Sequence, residues 1–289
     1  MFIKHLAFAI SVIILLIPTS NTSAKTENIE AISQAVSGLK LRSIGPAFMG
    51  GRIADIAVSP SDKSTWYVAV GSGGLWKTTN RGTTWTPIFD SQKSYSIGTV
   101  TIDPNNSEVI WVGTGENVSG RHVAWGDGVY KSIDGGQTWQ QMGLENSEHI
   151  GKILIDPRNS DVVYVAAEGP LWSAGDERGL YKTSDGGTTW QAALEIDKNT
   201  GITDVEFDPS NPDTLYAAAY QRRRTTWSFL AGGPNSGIYK STNNGASWNQ
   251  ITTGLPKGDV GKIGLAVTPA DPDLVYATIE ADEKEKGFY

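Results

Sequence analysis

The chain has 289 residues, 39% of them hydrophobic and 19% charged, with 24 Lys and Arg against 31 Asp and Glu. That balance excludes a disordered chain, and a net charge of −7 argues against a nucleic-acid partner, which calls for a basic surface. With no cysteine and only His5, His122 and His149, there is no disulfide framework, no thiol nucleophile and no Cys or multi-His metal site, so neither metal nor cofactor is expected.

Residues 1–5 are basic, residues 6–17 form one apolar run, Pro18 breaks it, and Thr22, Ser23 and Ala24 are small. This is the layout of a secretory signal peptide cleaved near Ala24. The run is shorter than the roughly 20 residues that span a bilayer. Residues 1–24 are therefore read as a leader, with export to the periplasm or beyond and no stable membrane insertion after cleavage. Residues 25–44 form a lead-in in which only a short stretch, 30–36, has helical character.

From residue 45 onward the chain repeats itself. Thr78-Thr-Asn80-Arg-Gly82-Thr-Thr84-Trp85 recurs as Ser132-Ile-Asp134-Gly-Gly136-Gln-Thr138-Trp139, Thr183-Ser-Asp185-Gly-Gly187-Thr-Thr189-Trp190 and Ser241-Thr-Asn243-Asn-Gly245-Ala-Ser247-Trp248. Running in phase are Val58-Ser-Pro60, Ile102-Asp-Pro104, Ile155-Asp-Pro157, Phe207-Asp-Pro209 and Val267-Thr-Pro269, each followed by an aromatic and β-branched stretch. Each unit reads as four short strands, A to D, with the Asp-Pro pair turning A into B and the box turning C into D. Units of about 50 residues with turn glycines and periodic aromatics predict an all-β chain, a β-propeller. The expected blades are 45–90, 95–142, 149–194 and 201–252, with a partial fifth at 260–289. The end at Tyr289, just short of a fifth box, is read as that of a fragment of a larger propeller.

The Ser/Thr-x-Asp/Asn-x-Gly-x-Thr/Ser-Trp pattern resembles the Asp-box, or bacterial neuraminidase repeat. Leu41-Arg-Ser-Ile-Gly-Pro46 with Gly50-Gly-Arg52-Ile-Ala-Asp55 is similar to the start of secreted bacterial proteins related to the sortilin N-terminal propeller, which are often labelled glycosyl hydrolases. The resemblance covers residues 45–289. Xyloglucanases and photosystem II assembly factors carry the same repeat.

The box residues Asn80, Trp85, Asp134, Trp139, Asp185, Trp190, Asn243 and Trp248 are read as structural. Two of the four boxes carry Asn, which accepts hydrogen bonds but cannot act as an acid or base, so the position needs an acceptor. Seven of the ten tryptophans belong to the repeat, whereas Trp125, Trp172 and Trp227 fall in long connections between strands B and C. Those connections share the face opposite the boxes, and variable loops on a rigid repeat are where binding resides. The binding candidates are Arg52, Glu116, Arg121, His122, Trp125, Trp172, Arg178, Arg222 and Trp227, for a glycan or peptide ligand, with the remaining blades of a longer chain as a further partner. Arg222, Arg223 and Arg224 taken alone read as a solvated loop.

Glycoside hydrolysis needs two carboxyl groups, and Asp55, Glu116 and Glu168 are the catalytic candidates. In xyloglucanases the resemblance places a catalytic Asp at the position of Gly71, which has no side chain. Arg52-Ile-Ala lacks the Pro of the sialidase Arg-Ile-Pro motif. The reading is a sortilin-like binding or scaffold module. The alternative is a sialidase- or xyloglucanase-like glycoside hydrolase acting on extracellular glycans, complete only with missing blades.

Overall fold

Short runs such as Trp66–Val70 and Val163–Ala167 are apolar on both sides of the strand, as expected for strands sandwiched between two neighbours. They are the second strands of successive antiparallel sheets in a computed structural model that describes residues 51–289 together with Ala31, Gln34, Ala35 and Ser37. The chain divides into Met1–Met49 and Gly50–Tyr289. In the first unit the four described residues are helical, and the Ser37 hydroxyl donates to the Gln34 carbonyl at 2.8 Å. The expected signal peptide and the phrase at 41–50 lie outside the described residues. Among the described residues no helix is long and apolar enough to cross a membrane.

The second unit holds twenty strands. The first sheet is β1 (Ile53–Val58), β2 (Trp66–Val70), β3 (Gly74–Thr78) and β4 (Thr86–Pro87), and the second is β5 (Ile97–Ile102), β6 (Ile110–Thr114), β7 (Val129–Ser132) and β8 (Gln140–Gln141). The third is β9 (Ile150–Ile155), β10 (Val163–Ala167), β11 (Gly179–Thr183) and β12 (Gln191–Leu194). The fourth is β13 (Thr200–Asp208), β14 (Asn211–Arg224), β16 (Gly237–Ser241) and β17 (Asn249–Ile251), with β15 (Phe229–Ala231) paired only to β14. The fifth has three strands, β18 (Ile263–Val267), β19 (Val275–Ile279) and β20 (Gly287–Phe288). Four complete blades and a partial fifth match the expected partial propeller.

The first strands of successive sheets, β1, β5, β9, β13 and β18, lie side by side. Asp55 Oδ2 accepts from Thr99 Oγ1 (2.8 Å) and Val100 N (3.0 Å), and Asp204 Oδ2 accepts from Leu265 N (2.9 Å), so the same position ties one inner strand to the next. The core lies between blades, not within them. Tyr67, Leu75 and Phe89 of the first meet Val100, Val112 and Tyr130 of the second, and the arrangement repeats at each later seam. Trp111, fully buried between the second and third blades, has the Lys131 ammonium 4.8 Å from its ring centroid.

The box turns hold this stack together. Asp134 Oδ1 accepts from Gln137 N and Thr138 N (both 2.9 Å), the Ser132 hydroxyl from Gly136 N (2.9 Å), and Gly136 takes φ 91°. Hydrogen bonds donated to its carboxylate by the Thr138 hydroxyl and N–H and by the Ser132 hydroxyl pull the Asp134 pKa down to about 2, which keeps it an ionised acceptor. Asn80 and Asn243 accept from Thr84 N and Ser247 N at the same 2.9 Å, as expected of a position that needs an acceptor. The turns also reach the preceding blade. Trp139 Nε1 donates to Ile88 O (2.8 Å) and Trp190 Nε1 to Met142 O (2.6 Å). In return Lys77, Lys131 and Lys182 donate to the carbonyls of Gly135, Gly186 and Asn244 in the next box.

Candidate functional site

In each blade the pairing of strands B and C fixes two ends. Trp66 opposes Thr78 at the box end, and Val70 opposes Gly74 at the other, about 13 Å away at roughly 3.3 Å per residue. The A–B turns share the box end, since Gly135 N donates to Glu108 O (2.9 Å) and Gly186 N to Asp161 O (3.0 Å). The long connections therefore gather at the opposite end.

The connection at 115–128 leaves the second blade and is clamped by the fourth and fifth. Its Asn117, Val118 and Ser119 carbonyls accept from Lys262, from Arg222 (3.3 Å) and from Arg224 (2.7 Å). Glu116, at its root, is buried. Arg52 grips its Oε1 through Nε (2.8 Å) and Nη2. A Cβ on Gly71 would lie 2.3 Å from that same oxygen, so the glycine makes room for the Glu116 carboxylate. Glu168 pairs with Arg222 at 2.7 Å and with Lys262 at 3.5 Å.

Arg178 and Arg222, expected on exposed loops, are 3% and 0% exposed. Arg178 donates from Nη1 to the carbonyl of Glu168 (2.6 Å) and from Nη2 to those of Pro170 and Ser173 (3.3 Å), and burial followed by the neighbouring Arg222 lowers its pKa to about 10. The reading of Arg222, Arg223 and Arg224 as a solvated loop is also corrected. They continue β14 and pair with β15, because a ribbon, not a loop, carries them to the buried Glu168. Of the catalytic candidates, Asp55 has both oxygens engaged, Oδ1 by Ile56 N (2.8 Å) and Oδ2 by the inner-strand bonds above. Glu116 and Glu168 are held by cations.

His149 is buried beneath this cluster, its Nδ1 donating to Glu116 O at 2.8 Å. Burial, then the Arg222 charge, pushes its pKa down to about 3 from the usual 6.5. The unfolded chain binds this proton near 6.5 and the folded chain only near 3. The stability due to the neutral ring is thus complete above pH 6.5 and is lost as pH falls towards 3, by about 1.4 kcal/mol per unit. In urea denaturation at pH 7 and pH 5, His149→Gln should lose less stability between the two than the wild type. An equal loss in both would contradict this.

Glu148, in the connection between β8 and β9, was not singled out by the sequence. Among the described residues its side chain makes no hydrogen bond or ion pair. Burial and the nearby Asp176 carboxylate raise its pKa, which Arg178 and Arg222 only partly offset. Glu148 and Asp176 both adopt left-handed backbone (φ 63° and 55°), a conformation concentrated at functional sites. The signal was available, since D–A connections share a face with B–C connections.

A cleft of about 580 Å³ lies beside these groups, lined by Lys93, Tyr95, Arg121, His122, Trp125 and Asp127 with the intervening backbone. Trp125 is 67% exposed and Tyr95 62%. Trp172 and Phe229 are also exposed, and Trp227 stands at 86% exposure in the β14–β15 turn. The three tryptophans left over from the repeat are thus all on the surface. This end of the propeller offers aromatic faces, an unpaired half-buried carboxyl and a framework of buried ion pairs.

Residues 127–288, more than half of the chain, match the family model Sortilin-Vps10, described as sortilin, neurotensin receptor 3. A xyloglucanase, Xgh74A of Acetivibrio thermocellus, is 26% identical over 72% of this chain and 26% of its own length. The oligoxyloglucan-reducing end-specific xyloglucanase of Emericella nidulans is 22% identical over 70% of this chain and 24% of its own. The chain thus spans about a quarter of the curated relatives it matches. Among solved structures, the GH74 enzyme of Niastella koreensis superimposes with a TM-score of 0.57 at 22% identity over 81% of this chain and 35% of that one. The GH74 xyloglucanase of Xanthomonas campestris gives 0.57 at 18% identity over the same shares. At such identity the superpositions speak for the propeller fold.

Proposed function

The chain belongs to the Sortilin-Vps10 family of β-propellers, and from that premise we propose that it serves glycoside hydrolysis outside the cytoplasm, gripping an extended glycan of the xyloglucan type on the face opposite the box turns. The observation that carries this is the union on one face of exposed Trp125, Trp172 and Trp227 with the unpaired, half-buried Glu148. Aromatic faces stack on the apolar faces of sugar rings, and a carboxyl with raised proton affinity suits the general acid of glycoside hydrolysis. Glu148 is assigned that role and Asp176 the partner carboxylate. Glu116 and Glu168 are assigned to bracing, because each is buried in an ion pair with an arginine, Arg52 and Arg222, that ties it to the framework. The curated xyloglucanases favour this reading over a scaffold role, and the leader expected at 1–24 supports export.

Calorimetric titration with xyloglucan oligosaccharides tests it. Binding is expected, and Trp125→Ala and Trp172→Ala should each weaken it by tenfold or more without lowering the melting temperature. Absence of binding, or binding indifferent to both substitutions, would contradict the proposal.

A further inference from the structure

The cleft beside Trp125 has a charge pattern that a neutral glucan does not use. Lys93 and Arg121 both line it and are exposed, and among the described residues neither side chain makes an ion pair or hydrogen bond. The carboxylate in the lining, Asp127, is already engaged. Its Oδ2 accepts from the Tyr130 hydroxyl at 2.7 Å and its Oδ1 from Thr114 Oγ1 at 3.4 Å. His122 Nε2 lies 3.4 Å from Arg52 Nη1. A guanidinium can only donate, so Nε2 accepts and the ring offers its remaining N–H at Nδ1. Arg52 is itself turned to Glu116. The cleft therefore presents two free cations and an N–H donor alongside Trp125 and Tyr95, and its one carboxylate is already hydrogen-bonded to Tyr130 and Thr114.

We infer that this cleft is a subsite for an acidic sugar, a uronic acid residue within the bound glycan. The ring stacks on Trp125 and Tyr95, and the carboxylate is held by Arg121 and Lys93. Aromatic faces take any pyranose, so stacking alone does not discriminate; a pair of unpaired cations in one cleft does, because a charged ligand gains charge-assisted hydrogen bonds that a neutral one lacks. The chain's net charge of −7 strengthens the argument, since general attraction of anions does not explain a local basic pair. This inference rests on the glycan-binding reading above and adds the sugar class at one position.

The test is calorimetric titration of the whole chain with a short oligogalacturonate, its methyl ester, a neutral xyloglucan oligosaccharide and dextran sulfate. The acid should bind at least tenfold more tightly than its methyl ester, and the preference should weaken as salt is raised. Lys93→Ala with Arg121→Ala should abolish the preference while leaving the neutral oligosaccharide's affinity within about twofold. Equal binding of acid and ester, with both lost in Trp125→Ala, would overturn the acidic subsite and leave the glycan reading standing. Dextran sulfate binding as tightly as the uronate would overturn the assignment of a carboxylate. Failure of every oligosaccharide to bind would overturn both readings.

Discussion

Arg222→Ala should destabilise the protein by about 3–5 kcal/mol, the range seen when one member of a buried ion pair is removed. Arg222 is 0% and Glu168 1% exposed, so the carboxylate left behind has no water to solvate it. Lys262 sits farther off, at 3.5 Å, and is partly exposed. The loss would be a large share of the roughly 5–15 kcal/mol that stabilises a typical domain. The substitution also removes the guanidinium from the carbonyls of Val118 and Gly169, which loosens the 115–128 connection. Arg222→Lys should recover only part of the loss, because one ammonium cannot reach all three acceptors. Arg222→Met with Glu168→Leu should recover most of it, since an apolar pair of similar volume carries no unpaired charge. Urea denaturation of the four proteins decides the matter. A loss below about 1 kcal/mol in Arg222→Ala, or a double variant no more stable than Arg222→Ala, would contradict the buried-pair account.

Glu148→Gln should cut glucan turnover by about 10²–10⁴-fold while leaving oligosaccharide affinity nearly unchanged, as befits loss of a general acid. The amide keeps the shape and removes the proton. The pH profile makes the assignment specific. The acid works only when protonated, so turnover falls as pH rises through its pKa, and burial with Asp176 places that limb above the ordinary carboxylate range. Asp176→Asn takes away the partner carboxylate and a negative neighbour, so it should cut turnover as well and move the limb of the residual activity to lower pH. Full turnover in Glu148→Gln, or an unmoved limb in Asp176→Asn, would remove Glu148 from the mechanism.

The propeller was legible because its turns make local demands. Ser132, Asp134 and Gly136 satisfy one another within five residues, and Asp103, Asp156 and Asp208 each accept from a backbone N–H two residues on. Such bonds leave a fixed residue pattern in the sequence. The site was legible only in outline. Trp125, Trp172 and Trp227 stood out because the repeat had no use for them, and all three are exposed. Arg222 did not, because its partner Glu168 lies in another blade and three consecutive arginines carry no sign of a strand running through them. Glu148 was hidden for the same reason. Its character comes from burial and from Asp176 and Arg178 in the next blade, which no local pattern records.

Hydrogen–deuterium exchange with and without a xyloglucan oligosaccharide tests most directly the claim that the box turns are framework and the opposite end recognises sugar. Slowed exchange is predicted at residues 93–96, 117–127 and 171–178, with no change at the box turns 78–85, 132–139, 183–190 and 241–248. Protection centred on the box turns, with the long connections unaffected, would contradict it.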